Sequence, residues 1–369
     1  MRTLTHLSVV LTALVLAGGC SNKTADEGSD KQPAAETPAA KPDQAAKPVE
    51  AADKKALIPA QPLTIAYSDW PGWVAWDIAV QKGWFAEEGV NVELKWFEYV
   101  PSMDAFGAGK VDAVTMTNGD ALVVGATGMP SKGILINDYS NGNDMVVARP
   151  GIDSVADLKG KKVGVEVGFV GHLLLLKALE SAGLTEKDIS IVNVTTDQTP
   201  QTLASGAADA IVAWQPNSGQ ALTELAGSKA IYTSADAPGL IYDLLYVNPD
   251  SLAKNREAWK KVVKVWLRVA DYIADDGNRD EVLKIMSARV GLTPERYAPL
   301  MKGTHFIGLT GNLEHFKPGD DLRSVHGSSG MVAAFQLANK VYKEPVDPAG
   351  YFDDSLIREI AAEMAKKAE

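Results

Sequence analysis

Short apolar runs and amphipathic stretches alternate along most of the chain. Leu63–Tyr67 reads as a strand, and Trp73 to Lys82 as a helix. Val90–Phe97 alternates apolar and polar positions, as a half-buried strand does. Ser102–Gly109 reads as a short helix with Pro101 at its entry. Val111–Thr117 is a third strand, Asp120–Thr127 a helix and Gly133–Asn137 a fourth strand. After a helical turn at Ser154–Leu158 the pattern restarts. It predicts strands at Val163–Val165, Ile189–Val194, Ala210–Trp214 and from Ile231, and the chain continues through Leu240–Val247. Helices are expected between them at His172–Ala182, Pro200–Ser205 and Ser218–Ala226. Strands that alternate with helices predict βα units and a parallel sheet. The remainder reads as helical: 257–274, 279–290, 294–302, 330–341 and 354–367. In the first of these, Trp259, Val262, Val263, Trp266, Val269 and Ala270 share one face and predict a core stripe.

An internal repeat supports two similar halves. Phe106-G-A-G-K-V-D-A-V-T-M-T-N-G-D-A-L122 resembles Leu203-A-S-G-A-A-D-A-I-V-A-W-Q-P-N-S-G-Q-A-L222. A helix end, a glycine, an aspartate and a strand recur in both. The reading is an α/β protein of two lobes, each a mainly parallel sheet flanked by helices, with a helical C-terminal extension. Lobe 1 is expected over 62–147 plus 243–369, and lobe 2 over 148–242. Ligands of open α/β sheets sit outside the carboxyl ends of the strands. The loops after the strands ending at Tyr67, Thr117, Val165 and Trp214 should therefore face one cleft.

The ends and the charge narrow the function. The 369 residues carry a formal net charge of −11. That argues against nucleic acid, which calls for a basic face, and against anionic membranes. Arg2 precedes an apolar run, Leu7–Leu16, too short to span a bilayer. The run leads into Ala17-Gly-Gly-Cys20, which holds the only cysteine and resembles the lipobox of bacterial lipoproteins. Residues 1–19 are expected to be a signal peptide. Cys20 is expected to carry a lipid that anchors the protein to the membrane in the periplasm. Residues 20–60, rich in Ala, Pro, Lys, Asp and Glu, read as a disordered tether.

Catalytic chemistry has little support. None of the five histidines has metal-ligand spacing, and there is no GxSxG elbow, P-loop or GxGxxG after a strand. No cofactor and no metal are expected. The cleft loops instead carry carboxylates and aromatic rings: Asp69, Trp70, Trp73, Asn118, Asp120, Asp138, Glu166, Trp214, Tyr242 and Asp243. An anion site would place Ser, Thr, Gly or Arg at such turns. A buried carboxylate needs a cationic partner, and few Lys or Arg lie near these loops. A ligand cation between tryptophan faces, hydrogen-bonded to carboxylates, meets that need, and planar guanidinium suits it well. An Asp after a strand also serves as a helix N-cap, which leaves the role of Asp120 open. Trp76, Asp77, Trp84 and Phe85 are read as packing and surface, and Lys264, Arg268 and Arg289 as solvated.

The run Ala79-V-Q-K-G-W-F-A-E-E-G-V-N-V-E93, with Gly107-A-G-K-V-D-A113, Leu158-K-G-K-K-V-G-V165, Leu179-E-S-A-G-L184 and Ala213-W-Q-P216, resembles the periplasmic solute-binding proteins of ABC importers. The similarity is to the nitrate-, taurine-, sulfonate- and thiamine-pyrimidine-type group. It implies the type II periplasmic-binding-protein fold, a hinge, a ligand in the cleft, no catalysis, and delivery by a monomer to a permease and ATPase complex. W-P-G-W, A-W-D and T-N-G-D resemble the receptors of urea-carboxylase-type gene neighbourhoods, which implies a guanidine or urea-like ligand. Glu166 stands where the sulfonate type has a small hydroxyl residue. The alternatives are a receptor for a sulfonate, taurine or nitrate, a thiamine-pyrimidine-like receptor, and a membrane-tethered sensor.

Overall fold

The computed structural model describes residues 61–368. The segments read as a signal peptide and a tether, with Cys20, lie outside the described residues. The strands, in chain order, are β1 (Leu63–Tyr67), β2 (Val92–Trp96), β3 (Ala113–Thr117), β4 (Lys132–Ser140), β5 (Met145–Ala148), β6 (Lys162–Val165), β7 (Ser190–Asn193), β8 (Ala210–Ala213), β9 (Lys229–Thr233), β10 (Tyr242–Val247) and β11 (Thr304–Phe306).

They form two sheets. The first has the order β11-β4-β10-β3-β1-β2, and the second β7-β6-β8-β5-β9. In the first, β1 pairs in parallel with β2 and β3, while β10 runs antiparallel between β3 and β4, and β11 antiparallel beside β4. In the second, β6 lies parallel to β7 and β8, and β5 alone runs against its neighbours β8 and β9. The chain crosses between the sheets twice, at 141–144 and at 234–241. The first crossing precedes β5, slightly ahead of the expected boundary at 147. This short apolar strand gives no signal of the sheet it joins.

The repeat has a physical basis. Asp112, just before β3, accepts hydrogen bonds from the Thr64 amide and hydroxyl at 2.9 and 2.8 Å. Asp209, just before β8, accepts one from the Lys162 amide at 2.9 Å. Each aspartate holds the start of the neighbouring parallel strand, and the registers agree: Ile65 pairs with Ala113, and Val163 with Ala210. The recurring Gly-x-x-Asp pattern is thus a device for strand alignment.

Several expectations change in detail. The helix predicted over 73–82 is two short helices, Pro71–Val74 and Trp76–Gln81. It starts early because Pro71, with φ preset for helix, occupies the first helical turn. Trp76 is fully buried, 4.7 Å between ring centroids from Trp266 of helix Arg256–Ala274, whose predicted apolar stripe is buried as expected. Asp77 accepts hydrogen bonds from the Tyr67 hydroxyl. The three cations expected to be solvated have partners. Arg289 lies 3.6 Å from Asp77 and over the Tyr67 ring, Arg268 covers the Trp84 ring at 4.1 Å, and Lys264 donates to Glu363. Flat guanidinium faces and long stems find such neighbours even on half-exposed helices.

Candidate ligand-binding site

Four aromatic rings meet between the two sheets. Trp70 is the N-cap residue of helix Pro71–Val74, and Trp73 lies within that helix. Trp214 follows β8 directly, and Tyr99 opens helix Tyr99–Gly107 after β2. Trp73 stacks on Tyr99 at 5.2 Å. Trp214 meets Trp70, Trp73 and Tyr99 edge-on at 6.5, 6.3 and 5.9 Å. All four are buried. Edge-to-face contacts set the positive rim of one ring against the negative face of the next.

Three buried carboxyl groups lie with these rings. Asp138 accepts a hydrogen bond from Trp70 Nε1 at 2.9 Å. Asp120 accepts one from the Tyr99 hydroxyl at 2.6 Å and one from the Val170 amide at 3.3 Å. Val170 is the first residue of helix Val170–Ser181, so a helix start beside the second sheet meets a carboxylate of the first. Asp243 of β10 is the cross-strand partner of Asp138 on β4. The two carboxyl groups are close enough to act on each other, and a register shift follows this pair, beside Asn137. Among the described residues, Asp120 Oδ1, Asp138 Oδ2 and Asp243 Oδ2 have no hydrogen-bond partner, nor does Trp73 Nε1. Burial raises the Asp120 carboxyl to about 7 and Asp138 to about 8, against opposing hydrogen bonds from Tyr99 and Trp70 respectively. Asp243 is pushed well above the usual range by burial and then by Asp138.

Gly72 makes room for Asp138. A Cβ on Gly72 would lie 1.7 Å from Asp138 Oδ2. The W-P-G-W run therefore sets a ring, Trp70, and a tight backbone approach, Gly72, against one carboxylate.

An outer cavity of about 260 Å³ adjoins Tyr99 and Trp214 and is rimmed by Asp69, Glu98, Glu166 and Asp197. The Glu98 carboxyl is raised by burial and then by Asp197, Asp69 and Glu166, so the cavity is electronegative. Burial raises the Asp69 carboxyl, against a hydrogen bond from Trp96 Nε1 at 2.7 Å and the charge of Arg289. Glu166 accepts from the Thr196 hydroxyl at 3.0 Å.

The remaining residues singled out from the sequence are engaged elsewhere. The Asn118 amide nitrogen donates to the Ser328 and Ser329 hydroxyls, and its oxygen accepts from the Tyr242 amide. The Tyr242 hydroxyl donates to the Leu322 carbonyl. Asp120 is not the helix cap: Thr117 caps helix Asn118–Ala126 and bonds the Asp120 amide, which frees the Asp120 carboxyl for the cleft. Sequence reading missed Tyr99, Gly72, Glu98 and Asp197. Glu98-Tyr99 repeats the acid–aromatic pairing of Asp69-Trp70 just after a strand, a signal that could have found it.

The sequence profile described as NMT1/THI5 like matches residues 73–279. A protein of Brucella abortus named as a binding protein is 28% identical over 301 residues, covering 79% of this chain and 90% of that one. The crystal structure of the periplasmic aliphatic sulphonate binding protein SsuA of Escherichia coli superimposes with a TM-score of 0.67 at 19% identity, over 81% of this chain and 100% of that one. The periplasmic nitrate-binding protein NrtA of Synechocystis gives a TM-score of 0.65 at 15% identity, over 82% and 89%. The chain belongs to the NMT1/THI5-like family and has the two-sheet α/β fold of periplasmic binding proteins.

Proposed function

We propose that this protein is the periplasmic solute-binding component of an ABC importer and that its ligand is a small cation of the guanidinium type. The observation that carries the reading is the set of three buried carboxyl groups, each with an oxygen lacking a protein partner, beside four aromatic rings. The hydrogen-bond donors on these carboxyls are Trp70, Tyr99 and a backbone amide, with no lysine or arginine. Guanidinium offers paired N–H groups to carboxylates and a flat face to the rings. Binding occurs without chemistry. In an open form Trp214 moves away with lobe 2. The cation settles on Asp120, Asp138 and Asp243 of lobe 1, and its contacts to both lobes favour closure. Asp69, Glu98, Glu166 and Asp197 attract it at the rim. The lobes are assigned as 62–140 plus 242–368 and 145–233, following the two sheets, and Cys20 as the lipid anchor. A Cys20→Ser variant should leave the membrane fraction for the soluble one.

Calorimetry tests the ligand. Guanidinium should bind the purified protein, with Asp138→Asn and Asp120→Asn each weakening it by about 2–5 kcal/mol, the range for unpairing a buried charge. Asp69→Asn and Glu166→Gln should slow association with smaller losses of affinity. Unchanged affinity in both inner variants sinks the cation reading. A second reading, an anion such as a sulfonate or nitrate, is favoured by the fold neighbours SsuA and NrtA. Tight taurine or nitrate binding by the unmodified protein would favour it.

A further inference from the structure

Asp138 and Asp243 face each other from neighbouring antiparallel strands, and both are essentially inaccessible to solvent. Ionised carboxylates only accept hydrogen bonds, so two of them in bonding range repel unless one keeps a proton. The groups around the pair offer no relief. Asp120 comes from the helix after β3, Asp144 from the crossing at 141–144, and both are buried acids. Tyr246 of β10 and Tyr297 of helix Pro294–Tyr297 are neutral phenols raised by burial. Trp70 supplies a neutral N–H to Asp138 Oδ1. Among the described residues, no lysine, arginine or histidine acts on either carboxyl.

We infer that Asp138 and Asp243 keep at least one proton between them in the ligand-free protein and release one to solvent when a cation binds, so that the site exchanges a proton for the ligand's charge. One carboxyl O–H bond breaks, the proton passes to water, and the freed carboxylate accepts from the cation's N–H groups. The charge of the occupied site equals that of the empty one. The exchange makes the dyad the element that selects for charge: a neutral ligand such as urea brings no charge to replace the proton, which stays in place. The inference rests on the cation reading above.

Isothermal titration of guanidinium chloride and of urea, in buffers of differing ionisation enthalpy, counts the protons released. Close to one proton should leave per guanidinium bound at about pH 6, and none with urea. Guanidinium affinity should rise roughly tenfold per pH unit between about pH 5 and about pH 8, and urea affinity should stay flat. Infrared difference spectra need no variant: the protonated-carboxyl carbonyl band present at neutral pH should lose intensity on adding guanidinium. Guanidinium binding without proton release, or without that loss of intensity, overturns the exchange and leaves the cation reading intact. Failure of guanidinium and methylguanidinium to bind overturns the cation reading, and the exchange with it.

Discussion

At the scale of single residues, the site depends on carboxyl groups placed where water cannot reach them. Asp138 shows how narrow the arrangement is. One oxygen takes the Trp70 N–H, and the other lies where a side chain on Gly72 would be. Gly72→Ala should force the carboxyl aside. The expected result is a stability loss of about 1–3 kcal/mol by denaturant titration, from overpacking, together with weakened guanidinium binding. Legibility was uneven here. Asp138, Asp120, Trp70 and Trp214 could be picked out because acids and tryptophans after strands are poor core material. Asn118 and Tyr242 occupy the same kind of position, yet their polar atoms bond helix Val325–Ala338 and the Leu322 carbonyl. Sequence position places a residue at the cleft end of a strand. It does not say which neighbour, distant in the chain, will take its hydrogen bonds.

At the scale of elements, the two halves share a strand-start clamp. Asp112 holds Thr64 and also accepts from the Ser251 hydroxyl, while Asp209 holds the Lys162 amide alone. Asp112→Ala should therefore destabilise more than Asp209→Ala, with losses of about 1–3 kcal/mol as hydrogen-bonding groups are left unpaired. Chemical denaturation of both variants would check the order. The C-terminal extension braces the first lobe in a similar way. Helix Arg279–Arg289 ends in an arginine that reaches Asp77, covers Tyr67 and opposes the burial that raises the Asp69 carboxyl. Arg289→Gln should cost about 1 kcal/mol in stability, because half-exposed ion pairs and cation–π contacts are each worth little. This brace was not legible, since a lone arginine on an amphipathic helix looks like any solvated one.

At the scale of the whole molecule, the buried acids link stability to pH. Burial holds Asp120 and Asp144 up at about 7 and Asp138 at about 8, with Asp243 raised further. In an unfolded chain these groups lose their protons near about pH 4. Between about pH 4 and about pH 8 the folded form keeps protons that the unfolded form has lost, so stability falls as pH rises. The ligand-free protein should melt at a higher temperature at about pH 5 than at about pH 8. Guanidinium should raise the melting temperature more at the higher pH, where it offsets the ionised acids. A melting temperature that rises from pH 5 to 8 without ligand would contradict the assignment of buried, unpaired carboxyls.

The sequence by itself determined the alternation of strands and helices, the repeated halves, the apolar stripe of helix 256–274 and the collection of acids and tryptophans at strand ends. These follow from local periodicity and from residue types that tolerate few environments. Only the tertiary structure decided that β10 returns between β3 and β4, which sets Asp243 opposite Asp138. It also decided that Trp214 closes on Trp70, Trp73 and Tyr99, and that the start of helix Val170–Ser181 meets Asp120. Each of these contacts joins residues dozens of positions apart. No local pattern encodes such pairings, because they come from strand order and from the packing of one sheet's loops against the other's.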